Sequence, residues 1–238
     1  ENNEIIEIGL IRTTGLEIEE EASFLVHPSI PIPKNITELT GISNEMVKYS
    51  PRLEDIREKI EALTCHAYII GHSVPVDIAF LNHQHLLLGA KTIDTYDLSC
   101  ILLPTQKQYS LKSLGAALQL PGRNSHRALE DSRLTYFLFE YLYNKALTLP
   151  DEIFLKILKI GQGIDWSIPR FIELVRSDQR SPTKENSSGQ GFNLKLSDNH
   201  LQKKSLSNMS MQLPDVNQAI SNEVNKILNL QDNCLFEA

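Results

Sequence analysis

An α/β domain with a mixed central sheet is the fold class this sequence predicts, and three observations predict it. Residues 4–26 (EIIEIGLIRTTGLEIEEEASFLV) alternate apolar and polar side chains on either side of Thr13-Thr14-Gly15, as the arms of a hairpin do. Two short apolar runs, AYIIGHS and TIDTYDL, are each followed by a helical pattern. A long amphipathic stretch, RALEDSRLTYFLFEYLYNKAL, comes after them. Strands that first pair locally and then alternate with helices form a mixed sheet covered by helices.

The elements follow in order. Ile6, Ile8 and Leu10 line one face of the first hairpin arm, and Leu16, Ile18, Ala22, Phe24 and Val26 alternate in the second. HPSIPIPKNITELTGIS is a Pro-punctuated loop with one short helical turn. Leu53, Ile56, Ile60 and Leu63 recur at helical spacing, and AYIIGHS is then a short buried strand. The next helix is expected over 77–88, with Ile78, Leu81 and Leu88 inward. Asp94 is placed to cap the helix that follows TID. SLKSLGAALQL is a further short helix before the long one.

Past Pro150 the texture changes. DEIFLKILKIG and SIPRFIELVRS read as short amphipathic helices with Trp166 between them, and from Ser177 to Pro214 the chain is polar and rich in Ser, Asn, Gln and Lys. The expected organisation is a domain over 1–148, a helical connector over 149–177, and a largely disordered tail over 178–238 with a short helix at 215–231, where Val216, Ile220, Val224 and Ile227 form one stripe.

With 238 residues, 41% of them hydrophobic, the chain can bury one good core. A net charge of −7 argues against holding nucleic acid through a basic surface alone, but not against reaching phosphates through bound metal ions. Cys65, Cys100 and Cys234 are odd in number and far apart, so neither a disulfide framework nor a zinc knuckle is expected, and a reducing, cytoplasmic compartment is. No apolar run has the length of a membrane span, so no membrane partner is expected. The chain opens on Glu1 and not on methionine, from which an upstream segment is expected.

Two stretches carry the chemistry. In GHSVPVDIAFL, Asp77 follows a buried strand at the start of a helix, where the helix dipole favours a carboxylate. Taken by itself it is equally an ordinary first-turn acid. In NSHRALEDSRLTYF, His126 and Asp131 stand five residues apart, about 140° of rotation on a regular helix, so they meet only if His126 is in the preceding loop and Asp131 one turn inside. A loop imidazole suits a general base, and a carboxylate on a rigid helix suits a metal ligand. By themselves these two are more simply a surface histidine and a solvated acid. No phosphate-binding Gly-Lys-[Ser/Thr] loop and no Gly-x-Ser-x-Gly elbow is present.

Together, EIIEIG with its hairpin, ELTGISNEMV, GHSVPVDIAFL, IDTYDL, YSLKSLGAALQL and SHRALEDS occur in an order and spacing that resembles the DEDDh, or DnaQ-like, 3′–5′ exonucleases over Glu4 to about Leu147. The resemblance implies a ribonuclease H-like fold, two Mg²⁺ or Mn²⁺ ions, and hydrolysis from a free 3′ end, DNA favoured. It implies that Asp77 and Asp131 are catalytic metal ligands, that His126 is the general base, and that Leu39, Thr40, Gly41 and Ile42 contact the terminal nucleotide.

The departures are specific. The family's first strand reads Asp-x-Glu-Thr-Thr-Gly-Leu, yet before Thr13-Thr14-Gly15 this chain has Leu10 and Arg12, an alkyl chain and a cation that cannot hold a metal. EIIEIG normally follows that strand, so the Thr-Thr-Gly here is a hairpin turn and the first strand is expected to be missing, with activity impaired. Glu4 and Glu7 are the reserve carboxylates should the chain be active as it stands. Asp165-Trp166 in the helical region resembles the connector of DinG-type proteins, which implies a fused helicase as partner, while the resemblance to proofreading subunits implies a polymerase instead. Two rivals share the fold: a non-catalytic binding module and an RNA-directed exonuclease.

Because the Ser177–Pro214 stretch lacks apolar spacing, a broad-specificity protease is expected to cut there first. Mass spectrometry of early fragments checks this, and first cleavage inside 4–147 overturns it.

Overall fold

The computed structural model describes residues 4–122 and 127–180. His126 and the tail beyond Arg180, including the helix expected at 215–231, lie outside the described residues.

Strand β1 (Glu7–Thr14) and strand β2 (Glu17–Leu25) form the expected antiparallel hairpin. The turn is tighter than the sequence suggests: Thr13 and Thr14 belong to β1, and the chain reverses at Gly15, whose φ of 60° suits glycine. A bulge between Arg12 and Thr13 shifts the register there. Two short helices follow, α1 (Lys34–Thr40) and α2 (Asn44–Val47), then α3 (Leu53–Thr64), which buries Leu53, Ile56 and Ile60 as their spacing predicts.

Strand β3 (Ile69–Gly71) leads into α4 (Val74–His83), and strand β4 (Thr92–Asp94) into α5 (Thr95–Leu102), with β3 and β4 parallel. Helix α4 departs from the expected 77–88 at both ends. It starts earlier because Pro75 is tolerated in a first turn and because the Asp94 carboxylate, from a neighbouring strand, accepts the N–H groups of Ser73 and Val74. It stops at His83, after which His85 and Leu87 take left-handed conformations. The helical phase is lost there, so Leu88 is 66% exposed and Leu86 is buried in its place.

Helices α6 (Leu111–Ala117) and α7 (Ala128–Leu147) complete the region, followed by α8 (Asp151–Ile160) and α9 (Ile168–Arg180). The last two share one hydrophobic cluster with α5 and α7, in which Phe154, Phe171 and Ile172 meet Leu138, Phe139 and Leu142. Ser167 accepts the Asp94 N–H at 2.9 Å, and Tyr143 donates to Asp178 at 2.5 Å.

The architecture is α/β, with antiparallel and parallel pairing both present, but the sheet is not continuous. β1–β2 and β3–β4 are separate two-stranded sheets, and no ladder joins β1 to β3 among the described residues. Helix α7 packs on β1, β2 and β3 and holds the halves together. At Gly9 the approach is so close that a Cβ would lie 2.3 Å from the Ala128 backbone. The Ser132 hydroxyl donates to the Gly9 carbonyl at 3.1 Å, Tyr136 donates to the Leu16 carbonyl at 2.8 Å, and Arg133 pairs with Glu21. Gly9→Ala is therefore expected to destabilise the domain by about 1–3 kcal/mol, the usual cost of overpacking, or more because backbone cannot step aside. Urea unfolding measures it, and an unchanged midpoint refutes the contact.

Candidate active site

A cavity of about 1400 Å³ opens between the two sheets, lined by β1, β3 and the inner face of α7. Both carboxylates singled out in the sequence lie on its wall. Asp77 is in the first turn of α4, and Asp131, 9% exposed, is in the first turn of α7. Each therefore stands where a helix N-terminus favours negative charge. Two helices that start beside two different sheets thus bring to one cavity acids that are 54 positions apart in the chain, Asp77 and Asp131.

The predicted nucleotide contacts are divided. Leu39, 43% exposed, and Thr40 line the cavity from the end of α1. Gly41 terminates that helix in a left-handed conformation, φ 71°, and donates its N–H to the Thr37 carbonyl. Ile42 also borders the cavity, but at 1% exposure its side chain is packed in a small cluster with Ile32 and Val47. The Thr40 hydroxyl donates to Ile36 and accepts from the Ile42 N–H, which fixes the loop.

The reserve carboxylates are engaged elsewhere. Glu4 accepts from the backbone and the hydroxyl of Ser29, the hydroxyl bond being the main reason its carboxyl sits below the usual range. Glu7 accepts from the Ala128 N–H at 2.5 Å and pairs with Arg127 at 2.9 Å, satisfying the start of α7. That role, which aims the first turn carrying Asp131, has no signature in the sequence, since the partners are 120 residues apart.

Asp94 carries more than the single cap expected of it. Its carboxylate accepts from Ser73, Val74 and Tyr96 at 2.9, 3.1 and 2.8 Å, so it secures the starts of α4 and α5 together. Ser73 is left-handed, φ 61°, which turns the chain out of β3 and into the helix of Asp77. His72, just before it, reaches the Tyr109 carbonyl through Nε2 at 2.7 Å and lies 3.0 Å from the Thr95 hydroxyl through Nδ1. A carbonyl only accepts, so Nε2 carries the proton.

Among the described residues no group of three or more His, Cys, Asp or Glu side chains converges as a metal site. Asp77 and Asp131 offer hard oxygen ligands of the right kind, yet two carboxylates do not fix a pair of divalent ions. The described residues alone do not fit a two-metal centre.

A family model described as Exonuclease matches residues 1–139. The chain belongs to the DnaQ-like 3′–5′ exonuclease family. It is similar to the 3′-5′ exonuclease DinG of Bacillus subtilis (27% identity over 75% of this chain and 20% of that protein). It is also similar to the DNA polymerase III subunit epsilon of Aquifex aeolicus (32% identity over 71% of this chain and 82% of that protein). Among solved structures it is similar to exonuclease X in complex with 5′ overhanging duplex DNA, with 27% identity and a TM-score of 0.48 over 59% of this chain and 82% of that one. The chain thus spans only a fifth of the DinG relative. Members of this exonuclease family generally use divalent metal ions.

Two groups next to the start of α4, Asp94 and His72, make the stability of the fold depend on pH. Burial pushes Asp94 up from 3.8 to about 7, with help from the neighbouring Asp97 charge and against its backbone N–H bonds. Burial pushes His72 down from 6.5 to about 4. Between about pH 4 and 7 the folded chain holds a proton on Asp94 that the unfolded chain releases, so that group's stability is lost as pH rises. Between about pH 4 and 6.5 the unfolded chain holds a proton on His72 that the folded chain excludes, so that group's stability is lost as pH falls. The two slopes oppose each other. His72→Gln is expected to leave stability falling with rising pH, and Asp94→Asn to leave it falling with falling pH, by up to a few kcal/mol at about 1.4 kcal/mol per pKa unit. Urea unfolding across this range checks it, and parallel slopes in both variants contradict it.

Proposed function

We propose that this chain is the exonuclease module of a DNA replication or repair protein and removes nucleotides from a free 3′ end, DNA being favoured over RNA. The observation that carries this reading is the placing of Asp77 and Asp131 on one cavity wall, with Leu39 and Thr40 at its border. The DNA polymerase III subunit among the relatives named above supports a polymerase as partner, and a fused helicase is the alternative partner in this reading. Among the described residues no helix is long and apolar enough to cross a membrane. A cytoplasmic setting is part of the proposal.

Asp77 and Asp131 are assigned as ligands of Mg²⁺ or Mn²⁺, hard cations that prefer carboxylate oxygen. A bound ion of this kind supplies Lewis-acid stabilisation of phosphate charge. Leu39 and Thr40, with Gly41 shaping their loop, would orient the terminal nucleotide, and His126 would take the proton of the attacking water. Arg127 and Glu7 hold the first turn of α7, and Asp94 holds that of α4, so both acids are pre-positioned.

With two carboxylates of a larger set, the 238-residue chain is expected to release little or no nucleotide from a 3′-labelled single strand. Fusing a strand that reads Asp-x-Glu-Thr-Thr-Gly-Leu to its N-terminus is expected to confer release that depends on Mg²⁺ or Mn²⁺. In that background, Asp77→Asn or Asp131→Asn is expected to abolish release, and His126→Ala to lower kcat roughly 10²–10⁴-fold with metal affinity retained. Robust metal-dependent release by the unfused chain, or none by a folded fusion, overturns the assignment.

A further inference from the structure

Just past α2, Tyr49 is 89% exposed, more than any other large hydrophobic side chain among the described residues. Isolated apolar side chains on a surface are ordinary. Here Leu39, Met46 and Tyr49 are all exposed within residues 39–49, the stretch that leaves the cavity border at Leu39 and Thr40. The backbone beneath them is firmly held. The Asn44 side chain accepts the Ile32 N–H at 2.8 Å and donates to the Ile32 carbonyl at 3.2 Å, and the Ser43 hydroxyl accepts the Met46 N–H at 3.4 Å. Val47 is buried with Ile32 and Ile42, and its carbonyl accepts from His27 Nδ1 at 2.9 Å and from the Ser50 N–H at 3.0 Å. The apolar side chains therefore stand on a rigid support, where a ligand would meet them at little cost in ordering.

We propose that Tyr49, with Met46 beside it in sequence, is a stacking platform for the bases of a single strand of nucleic acid, next to the nucleotide at the 3′ end. The platform rests on the exonuclease reading for this placement, since Leu39 and Thr40 are that reading's contacts to the terminal nucleotide. Charge does not build the surface. Lys34 pairs with Glu38 and Lys48 with Glu45, each at 3.5 Å, so the two lysines of this stretch are matched by two glutamates. Lys48 Nζ also lies 5.5 Å from the centre of the Tyr49 ring, a cation–π contact that steadies the ring. What remains to offer a ligand is an aromatic face and a thioether, which suit a base and not a phosphate. In a duplex each base is covered by its neighbours, so the platform selects a single strand, and it tolerates any sequence because every base has a π face. A protein partner fits less well: one aromatic side chain buries about 150–250 Å², and with a Met and a Leu that are only partly exposed the patch falls short of the ~800 Å² a standard interface takes from each partner.

The test uses the 238-residue chain in EDTA, so that no metal-dependent cleavage consumes the probe, a short 5′-fluorescein single-stranded oligodeoxynucleotide. By fluorescence anisotropy, Tyr49→Ala is expected to weaken binding about tenfold, as loss of one stacked base does, and Tyr49→Phe to keep it. The ratio between the chain and Tyr49→Ala is expected to stay constant as salt is raised, because no phosphate contact is lost. Placing an abasic site in turn at each position behind the 3′-terminal nucleotide is expected to find one where the two proteins bind alike. As a second readout, the same strand carrying 5-iodouracil at that position is expected to crosslink to Tyr49 on irradiation, as mass spectrometry reads directly. Equal binding by the chain and Tyr49→Ala, no binding by either, a loss in Tyr49→Phe as large as in Tyr49→Ala, or crosslinks only elsewhere overturn the proposal. So does unchanged strand binding in a Tyr49→Ala variant that has lost a self-association of the unaltered chain, which would assign the patch to a second copy. Tyr49-dependent binding with no nucleotide release by a folded fusion would leave the platform standing and remove the exonuclease reading.

Discussion

Contact between a strand and a helix, with no side chain between them, is what keeps this molecule's two sheets in one body. At Gly9 the backbone of β1 lies against the first residue of α7, closer than any Cβ would allow. The Glu7 carboxylate grips the same turn through Ala128 and Arg127. Helix α7 then runs on across β3 and into the cluster with α8 and α9. A β1 displaced by one methyl group would carry the hairpin away from the helix that bears Asp131, and the cavity between the sheets would change shape with it. Packing at this density transmits such shifts and does not absorb them.

The second fixed point is the Asp94 carboxylate. It satisfies N–H groups at two helix starts, and the main chain at the same residue is met by Ser167 from just ahead of α9. One buried acid therefore coordinates β3, α4, α5 and α9, and the direction of α4 sets where Asp77 stands. A burial cost borne by one carboxylate orients another that faces the cavity. His72 adds a polar anchor on the neighbouring turn, fixed between Tyr109 and Thr95.

Much of this was legible in the sequence, and what was not has particular reasons. Helix α3 could be read because its buried residues keep one period, Leu53, Ile56 and Ile60. Helix α4 could not be bounded, because the group that starts it, Asp94, lies 20 positions beyond Val74. Leu88 was misplaced by extending a phase that His85 and Leu87 break. Asp77 and Asp131 stood out because family spacing singles them out, and they reach one cavity. Glu7 stood out only as a reserve ligand, because nothing near it in the sequence says that its partner is Arg127. The hairpin was plain from its alternation, but that no ladder joins β1 to β3 among the described residues is a fact of three dimensions that no local period records.

The packing of α5 also governs the chemistry of its thiol. Cys100 is buried, bonded to Tyr96, and driven up to about 12 by burial first and by the Asp97 charge second. Thiolate is the species that alkylating reagents and peroxides attack, so this sulfur is nearly inert at neutral pH. Cys65, at the end of α3, is exposed. Of these two sulfurs, a maleimide dye or a spin label will therefore take Cys65, which places a reporter beside Thr64 on the rim of the cavity without disturbing the core beneath α5.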